Sequence, residues 1–327
     1  DICTGDIPNI YPYWITCTGE GIQAKRRSAA CLISYLSAPM SVSGTYEELA
    51  DLENLLEEYC HFKNDDAVAT GMDSIKEMIR SKAAECNLDE DVPESEAEDF
   101  DDYIGKLHNF ITDLKNMQIS TGLHVLGVSP EGEELVEYLL ALTKLDNGKV
   151  PSLMKNLADM HGHDYYELME HSEQMLADGS MTYGMLLDKI REQAKEAILI
   201  LQKNSFDAAK IEEVFNLSWA KDLQGEMRDK LLQSLTYICE HIAPSLLMTT
   251  LEQQNTLNAL NGKYIDPCPS GAPTSGGADL LPTGRNFYSI DPRCLPTKPL
   301  GKLASRWLRM LLAGLLKKKG VILKALA

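Results

Sequence analysis

Positive charge is scarce in this chain, with 31 lysines and arginines against 49 aspartates and glutamates and a formal net charge of -18. A protein that holds nucleic acid by neutralising phosphates needs a net basic face, so the balance excludes that class as the main function. Paired cysteines are also lacking. The eight cysteines, at 3, 17, 31, 60, 86, 239, 268 and 294, form no Cys-x-x-Cys and no spacing suited to zinc, and they read as reduced thiols. No apolar run calls for a membrane span, and no signal peptide precedes Asp1-Ile2-Cys3-Thr4, which predicts a cytoplasmic piece of something longer. The phosphate loop Gly-x-x-x-x-Gly-Lys-Ser/Thr, the Gly-x-Ser-x-Gly elbow and His-Glu-x-x-His are all missing. Any ATP consumed must therefore be consumed by another subunit.

Glycine and proline, by contrast, crowd one late stretch. Gly262-Lys263-Tyr264-Ile265, Pro269-Ser270-Gly271-Ala272-Pro273 and Leu281-Pro282-Thr283-Gly284-Arg285-Asn286-Phe287-Tyr288-Ser289-Ile290-Asp291-Pro292 predict a long irregular loop. Arg285, Asn286, Tyr288 and Asp291 are side chains that a disordered linker does not need, and Gly271 and Gly284 would let the backbone approach a ligand. A binding loop and a proline-rich surface connector are both open on composition. Near the start, a Gly19-Glu20-Gly21 turn leads into Lys25, Arg26 and Arg27 at a helix start. Guanidinium forks and exposed N–H groups suit carboxylates or phosphates, with ion pairing to the chain's own acids as the alternative.

Most of the remaining chain shows helical periodicity. Residues 7–15 and 31–36 predict two strands, the first short or at an edge because of its prolines. Thr45 with Glu48 predicts a helix cap ahead of Leu49, Leu52, Leu55, Leu56 and Tyr59. Stripes at spacings of three and four follow, among them Leu107, Ile111 and Leu114, and Ile190, Ala194, Ala197, Ile198 and Leu201. Between Ala83 and Gly105 an acidic run without a basic residue reads as a solvated loop rather than a metal site. His161-Gly162-His163-Asp164, with His171 beyond, invites a metal reading, but Asp164 capping a helix with Glu167 at its third position explains the spacing. His124, between glycines and apolar neighbours, is open as a metal ligand, a proton acceptor or a satisfied structural histidine.

Three ordered motifs together resemble the family shared by the cobaltochelatase large subunit and the magnesium chelatase H subunit. They are Tyr11-Pro12-Tyr13 with Gly19-Glu20-Gly21-Ile22-Gln23-Ala24-Lys25-Arg26-Arg27-Ser28, then Gly122-Leu123-His124-Val125-Leu126-Gly127, then the loop from Pro269 to Arg293. The magnesium branch tends to carry Gly-Lys-Asn-Ile-His where this chain has Gly284-Arg285-Asn286-Phe287-Tyr288, which favours the cobalt branch. The resemblance implies a tetrapyrrole substrate, Co²⁺ or Mg²⁺ as the metal inserted, and ATP used by AAA+ ATPase and adaptor partner subunits. Carried onto matching positions, it implies substrate binding by Glu20, Gln23, Lys25, Arg26, Arg27, Gly271, Thr283, Gly284, Arg285, Asn286 and Tyr288, and a catalytic role for His124. The metal ligands are expected upstream of this chain.

The expected architecture is α+β, a small α/β segment over 1–62 followed by a predominantly helical region over 63–261, a Gly/Pro-rich binding loop over 262–298 and a tail over 299–327. Residues 298–327 hold eight basic residues and no acid, leaving 23 basic against 49 acidic elsewhere. Read directly, the tail is a basic amphipathic helix. The family continues Lys-Ala-Ala-Trp-Glu-Ile-Gly-Lys at this point, and deleting one base from a spelling of it gives Lys-Pro-Leu-Gly-Lys-Leu-Ala-Ser, the residues at 298–305, so the tail is expected to be frameshifted. The competing function is a non-catalytic acidic helical scaffold for an ATPase partner.

Overall fold

The structure, a computed structural model, describes residues 7–16, 19–37, 47–63, 71–116, 123–289 and 298–318. Residues 1–287 make one compact unit and residues 288–327 a second. Strands β1 (Ile10–Trp14), β2 (Cys31–Tyr35), β3 (Pro267–Pro269) and β4 (Asn286–Tyr288) form one sheet in the order β1-β2-β4-β3. β1 and β2 run parallel, from Ile10 opposite Cys31 to Trp14 opposite Tyr35, and α1 (Gly19–Ser28) makes the crossover that a parallel pair needs. β4 meets β2 antiparallel, with Ile33 opposite Asn286. The late Gly/Pro-rich stretch therefore supplies half of the sheet that the first segment begins, and β1 takes the expected edge position.

Side-chain alternation gives this sheet two apolar faces. Leu32 packs with Phe287, Cys268 and Ala30, while Ile33 packs with Ala259 and Ile265. Gly21 explains how α1 sits on the first face. A Cβ there would lie 3.1 Å from Phe287 Cζ and 3.2 Å from Leu32 Cδ1, so a glycine permits the approach. The Gly19–Gly21 segment is thus the opening of α1 rather than a turn before it. Lys25, Arg26 and Arg27 lie in the last turn of α1 and not at a helix start, where they complement the carbonyl end of the helix dipole.

Helices α2 (Glu47–Phe62), α3 (Met72–Glu85) and α4 (Phe100–Asn116) share a core of Leu52, Leu56, Tyr59, Ile79, Ala83, Ile104, Leu107 and Ile111. A larger core joins α5 (Gly132–Thr143), α6 (Leu153–Met160), α7 (Tyr165–Glu170), α8 (Tyr183–Lys203), α9 (Gly225–Tyr237) and α10 (Ala243–Leu247), and α11 (Leu251–Leu260) follows and lies against β1 and β2. The stripe read from sequence on α8, Ile190, Ala194, Ala197, Ile198 and Leu201, is buried. Each large aliphatic side chain of that kind contributes about 1.5–3 kcal/mol on burial. Asp164 accepts from the backbone N–H groups of Tyr166 and Glu167, which is the cap read from its spacing. The predicted Thr45 cap lies outside the described residues.

The acidic run is less free than a solvated loop. Glu94 takes a fork of two 2.7 Å hydrogen bonds from Arg80 of α3, which holds its carboxyl below the usual range. Asp101 accepts from the Tyr59 hydroxyl at 2.8 Å and from Lys63 at 2.9 Å, and Asp102 pairs with Lys106. The compensating cations lie outside the run in sequence: Arg80 and Lys63 are brought to it by packing, and Lys106 follows one turn on along α4 itself. In the second unit, α12 (Lys298–Lys318) exposes Leu303, Trp307, Leu308, Met310 and Leu311. Among the described residues, no helix is long and apolar enough to cross a membrane.

Candidate functional site

A carboxylate that sequence reading does not single out organises the carboxyl end of β2. Glu252, in the first turn of α11, is completely buried. Its Oε1 accepts from the Leu36 backbone N–H at 2.9 Å and the Thr283 hydroxyl at 2.6 Å. Its Oε2 accepts from the Gly127 N–H at 3.0 Å and meets His124 Nε2 at 2.7 Å. Such charge-assisted bonds offset the cost of burying the group. Because the other partners are donors, the carboxylate serves as acceptor throughout, and the network places a proton on His124 Nε2.

Two glycines bring the flanking loops onto the first turn of α11. At Gly284, φ is +83° and a Cβ would fall 2.5 Å from the Leu251 carbonyl carbon. At Gly127, φ is +76° and a Cβ would fall 2.7 Å from Gln253 Cβ. A residue with a side chain at either position would push a loop off the carboxylate. The Gly284 backbone is fixed further by its N–H on Ser34 O at 2.7 Å and its carbonyl on Asn255 Nδ2 at 2.9 Å. His124 stacks against Tyr35, with ring centroids 6.4 Å apart, and Trp14 meets Tyr35 edge-on at 6.5 Å. This aromatic line runs from the buried carboxylate to the half-exposed Trp14. Leu123 and Val125, the chain neighbours of His124, are 76% and 62% exposed, whereas the His124 side chain is 4% exposed.

The residues read from sequence divide between this site and its support. His124, Thr283 and Gly284 are at Glu252. The Arg285 guanidinium donates to the carbonyls of Pro282 at 3.0 Å and Leu280 at 2.7 Å, tying the loop to itself. Lys25 Nζ donates to Asn286 Oδ1 at 2.9 Å and the Phe287 carbonyl at 3.0 Å, tying α1 to β4. Gly271 donates its N–H to Ile15 O at 3.1 Å, and a Cβ there would press on Leu280. Glu20 accepts from the Tyr13 hydroxyl at 2.9 Å. Gln23, Arg26 and Arg27 on α1, and Tyr288 at the end of β4, are exposed. Glu252 itself shares a face of α11 with buried Ala259, seven residues on, but a single alanine at that spacing does not mark a buried carboxylate in the sequence.

The other metal candidates fare differently. His161 Nε2 bonds Gln193 Oε1 at 2.9 Å and His163 packs against Tyr183, so the two rings serve separate structural contacts. The described cysteines are free thiols, and burial pushes Cys60 and Cys239 up to about 11 and raises Cys31 and Cys268 beside the sheet. Protonated thiols of this kind are poor nucleophiles and poor ligands.

The sequence model of the CobN/Magnesium Chelatase family matches residues 1–327. The aerobic cobaltochelatase subunit CobN of Pseudomonas aeruginosa is 32% identical over 337 residues, covering 100% of this chain and 26% of that protein. The chloroplastic magnesium-chelatase subunit ChlH of rice is 30% identical over 324 residues, covering 91% of this chain and 22% of that protein. Among solved structures, the catalytic subunit of cobaltochelatase from Mycobacterium tuberculosis superposes with a TM-score of 0.69 at 28% identity, covering 97% of this chain and 25% of that one. The chain thus spans about a quarter of the length of these relatives. With its α+β architecture and its ordered motifs, it belongs to the CobN/magnesium chelatase family.

Proposed function

We propose that this chain forms part of the tetrapyrrole- and metal-handling large subunit of an ATP-dependent cobaltochelatase, which inserts Co²⁺ into a corrin precursor of the hydrogenobyrinic acid diamide type. The observation that carries the reading is the His124–Glu252 pair, a histidine held by a fully buried carboxylate in a segment whose neighbouring Leu123 and Val125 are exposed. Insertion requires the ring N–H protons to leave as the metal enters, so a positioned proton acceptor is needed. Glu252 keeps the proton on His124 Nε2, leaves Nδ1 to take one from a ring nitrogen, and stabilises the imidazolium that results. Leu123 and Val125 supply apolar surface for a flat macrocycle. Arg26 and Arg27, exposed and outside the internal ties made by Lys25 and Arg285, suit the carboxylate arms. Lys25, Thr283, Gly284, Arg285 and Asn286 then hold the loops around Glu252 in shape, and Gln23 is a further exposed polar side chain on α1.

Gly284-Arg285-Asn286-Phe287-Tyr288 supports cobalt over magnesium, and Mg²⁺ insertion into protoporphyrin is the alternative. ATP hydrolysis falls to AAA+ partner subunits. The test uses the full-length large subunit with its ATPase partners, Co²⁺ and the corrin precursor. His124→Ala should lower kcat by about 100-fold, the low end for loss of a general base, with tetrapyrrole Kd within twofold of the parent. Unchanged turnover by His124→Ala would remove the proposed base, and tight binding of protoporphyrin with none of the corrin precursor would transfer the reading to magnesium.

A further inference from the structure

Away from Glu252, three helices bring together a histidine and two carboxylates that the reaction above does not use. Glu53 of α2, His108 of α4 and Asp188 of α8 each present one donor atom, all within 4.8 Å of one another. None of these helices contributes to the Glu252 site. His108 is 4% exposed, and its Nε2 lies 3.3 Å from Asp188 Oδ2. Four ligands at metal–donor distances of about 2.0–2.1 Å in a tetrahedron stand roughly 3.3 Å apart, so the His108–Asp188 pair is already at ligand spacing. Glu53 supplies the third donor, within 4.8 Å of the other two.

Neighbouring residues crowd the histidine and hold one of the carboxylates. Gly184, at the start of α8, sits so close to the His108 ring that a Cβ would come 2.8 Å from Nδ1, so the glycine leaves room for the imidazole whose Nε2 meets Asp188. Lys115 Nζ donates to Glu53 Oε1 at 2.6 Å and pins that carboxylate. Hydrogen-bonded carboxylates of this kind are ordinary around bound metals. Two carboxylates and one ammonium leave one net negative charge beside the imidazole, and Asp188, partly exposed, opens the cluster to solvent.

We propose that Glu53, His108 and Asp188 form a binding site for a divalent first-row transition ion of the Zn²⁺ or Co²⁺ class, joining α2, α4 and α8. One imidazole nitrogen with two carboxylate oxygens suits such ions, whereas Mg²⁺ takes oxygen ligands and keeps its water. The site is independent of the proposed insertion chemistry, because its ligands and its measurement involve neither tetrapyrrole nor turnover.

Metal-free protein would be titrated with Co²⁺ and followed by its visible d–d absorption, then with Zn²⁺ by calorimetry, in the parent and in Glu53→Gln, Asp188→Asn and His124→Ala. The two isosteric amides preserve packing, and circular dichroism confirms their fold. The expected result is one ion per chain in the parent, at least about tenfold weaker binding in each amide variant, no change in His124→Ala and no competition from equal Mg²⁺. Absence of a d–d band and of a calorimetric site in the parent would overturn the proposal. So would binding that survives both amide substitutions, or binding that His124→Ala abolishes.

Discussion

Glu137 on α5 and Glu252 on α11 are both buried, 6% and 0% exposed, yet they are kept in the fold by different means. Glu137 faces cations. Arg191 donates to its Oε2 and Lys195 Nζ lies 3.9 Å from its Oε1, all between two helices of the main core. Among the described residues, Glu252 has no arginine or lysine as a hydrogen-bond partner; it gathers two backbone N–H groups, one hydroxyl and one imidazole. A carboxylate matched by permanent charges is balanced before and after any proton moves. A carboxylate matched by dipoles and a titratable ring gains a charge partner only when that ring is protonated. The first arrangement is a structural pair, and the second is the one the proposed proton transfer would draw on.

Removing each carboxylate's support puts the contrast to the test, and Glu252→Ala should give the largest effect. It leaves four donors facing a cavity, each unmet donor costing about 1–3 kcal/mol before relaxation and water entry. A net loss of about 3–5 kcal/mol is expected, close to that of breaking a buried ion pair. Urea denaturation of the chain measures it. A loss below about 1 kcal/mol would mean that water already reaches the carboxylate, and the distinction from Glu137 would vanish.

That Glu252 escapes sequence reading has a physical reason. Leu251-Glu252-Gln253-Gln254-Asn255 has the look of a solvated helix face, and what buries it comes from residues 34–36, 124–127 and 283–284, far away in the chain. Local pattern carries the long stripes of α4 and α8 and the Asp164 cap, because those depend on neighbours within a few turns. β1 and β2 are legible through their β-branched and aromatic content. β3 and β4 are not, since three-residue strands flanked by proline and glycine exist only through pairing with β2 and with each other. The same non-local logic turns Gly284 from an expected ligand contact into a contact with α11, and Arg285 into a tie within its own loop.

A finer probe takes away one donor and leaves the carboxylate. Thr283→Val keeps shape and volume while deleting the 2.6 Å bond to Oε1, and a hydrogen bond to a charged group is worth about 1.5–3 kcal/mol. Stability should fall by that amount. If the charge of Glu252 is shared by all four donors, His124→Ala and Thr283→Val combined should also depart from the sum of the single losses, since both act on one acceptor. Strict additivity in a double-mutant cycle would show the donors to be independent and weaken the case for one coupled site.

The smallest effect belongs to the cation-matched glutamate. Exposed pairs contribute about 0–1 kcal/mol and broken buried pairs cost about 3–5, and Arg191–Glu137 lies between these limits because the arginine side chain is 21% exposed and that of the glutamate 7%. Lys195 remains after Arg191→Ala and can close on Glu137, so about 1–2 kcal/mol of destabilisation is expected. Replacing both partners, Arg191→Met with Glu137→Leu, should recover most of it, since an apolar pair of similar volume removes the desolvation cost of the charges. No such rescue is available at Glu252, where Glu252→Leu would still strand the N–H groups of Leu36 and Gly127. Denaturant midpoints for Arg191→Ala and the double replacement decide the point, and a double replacement no more stable than Arg191→Ala would show Glu137 to be as tightly woven into its surroundings as Glu252.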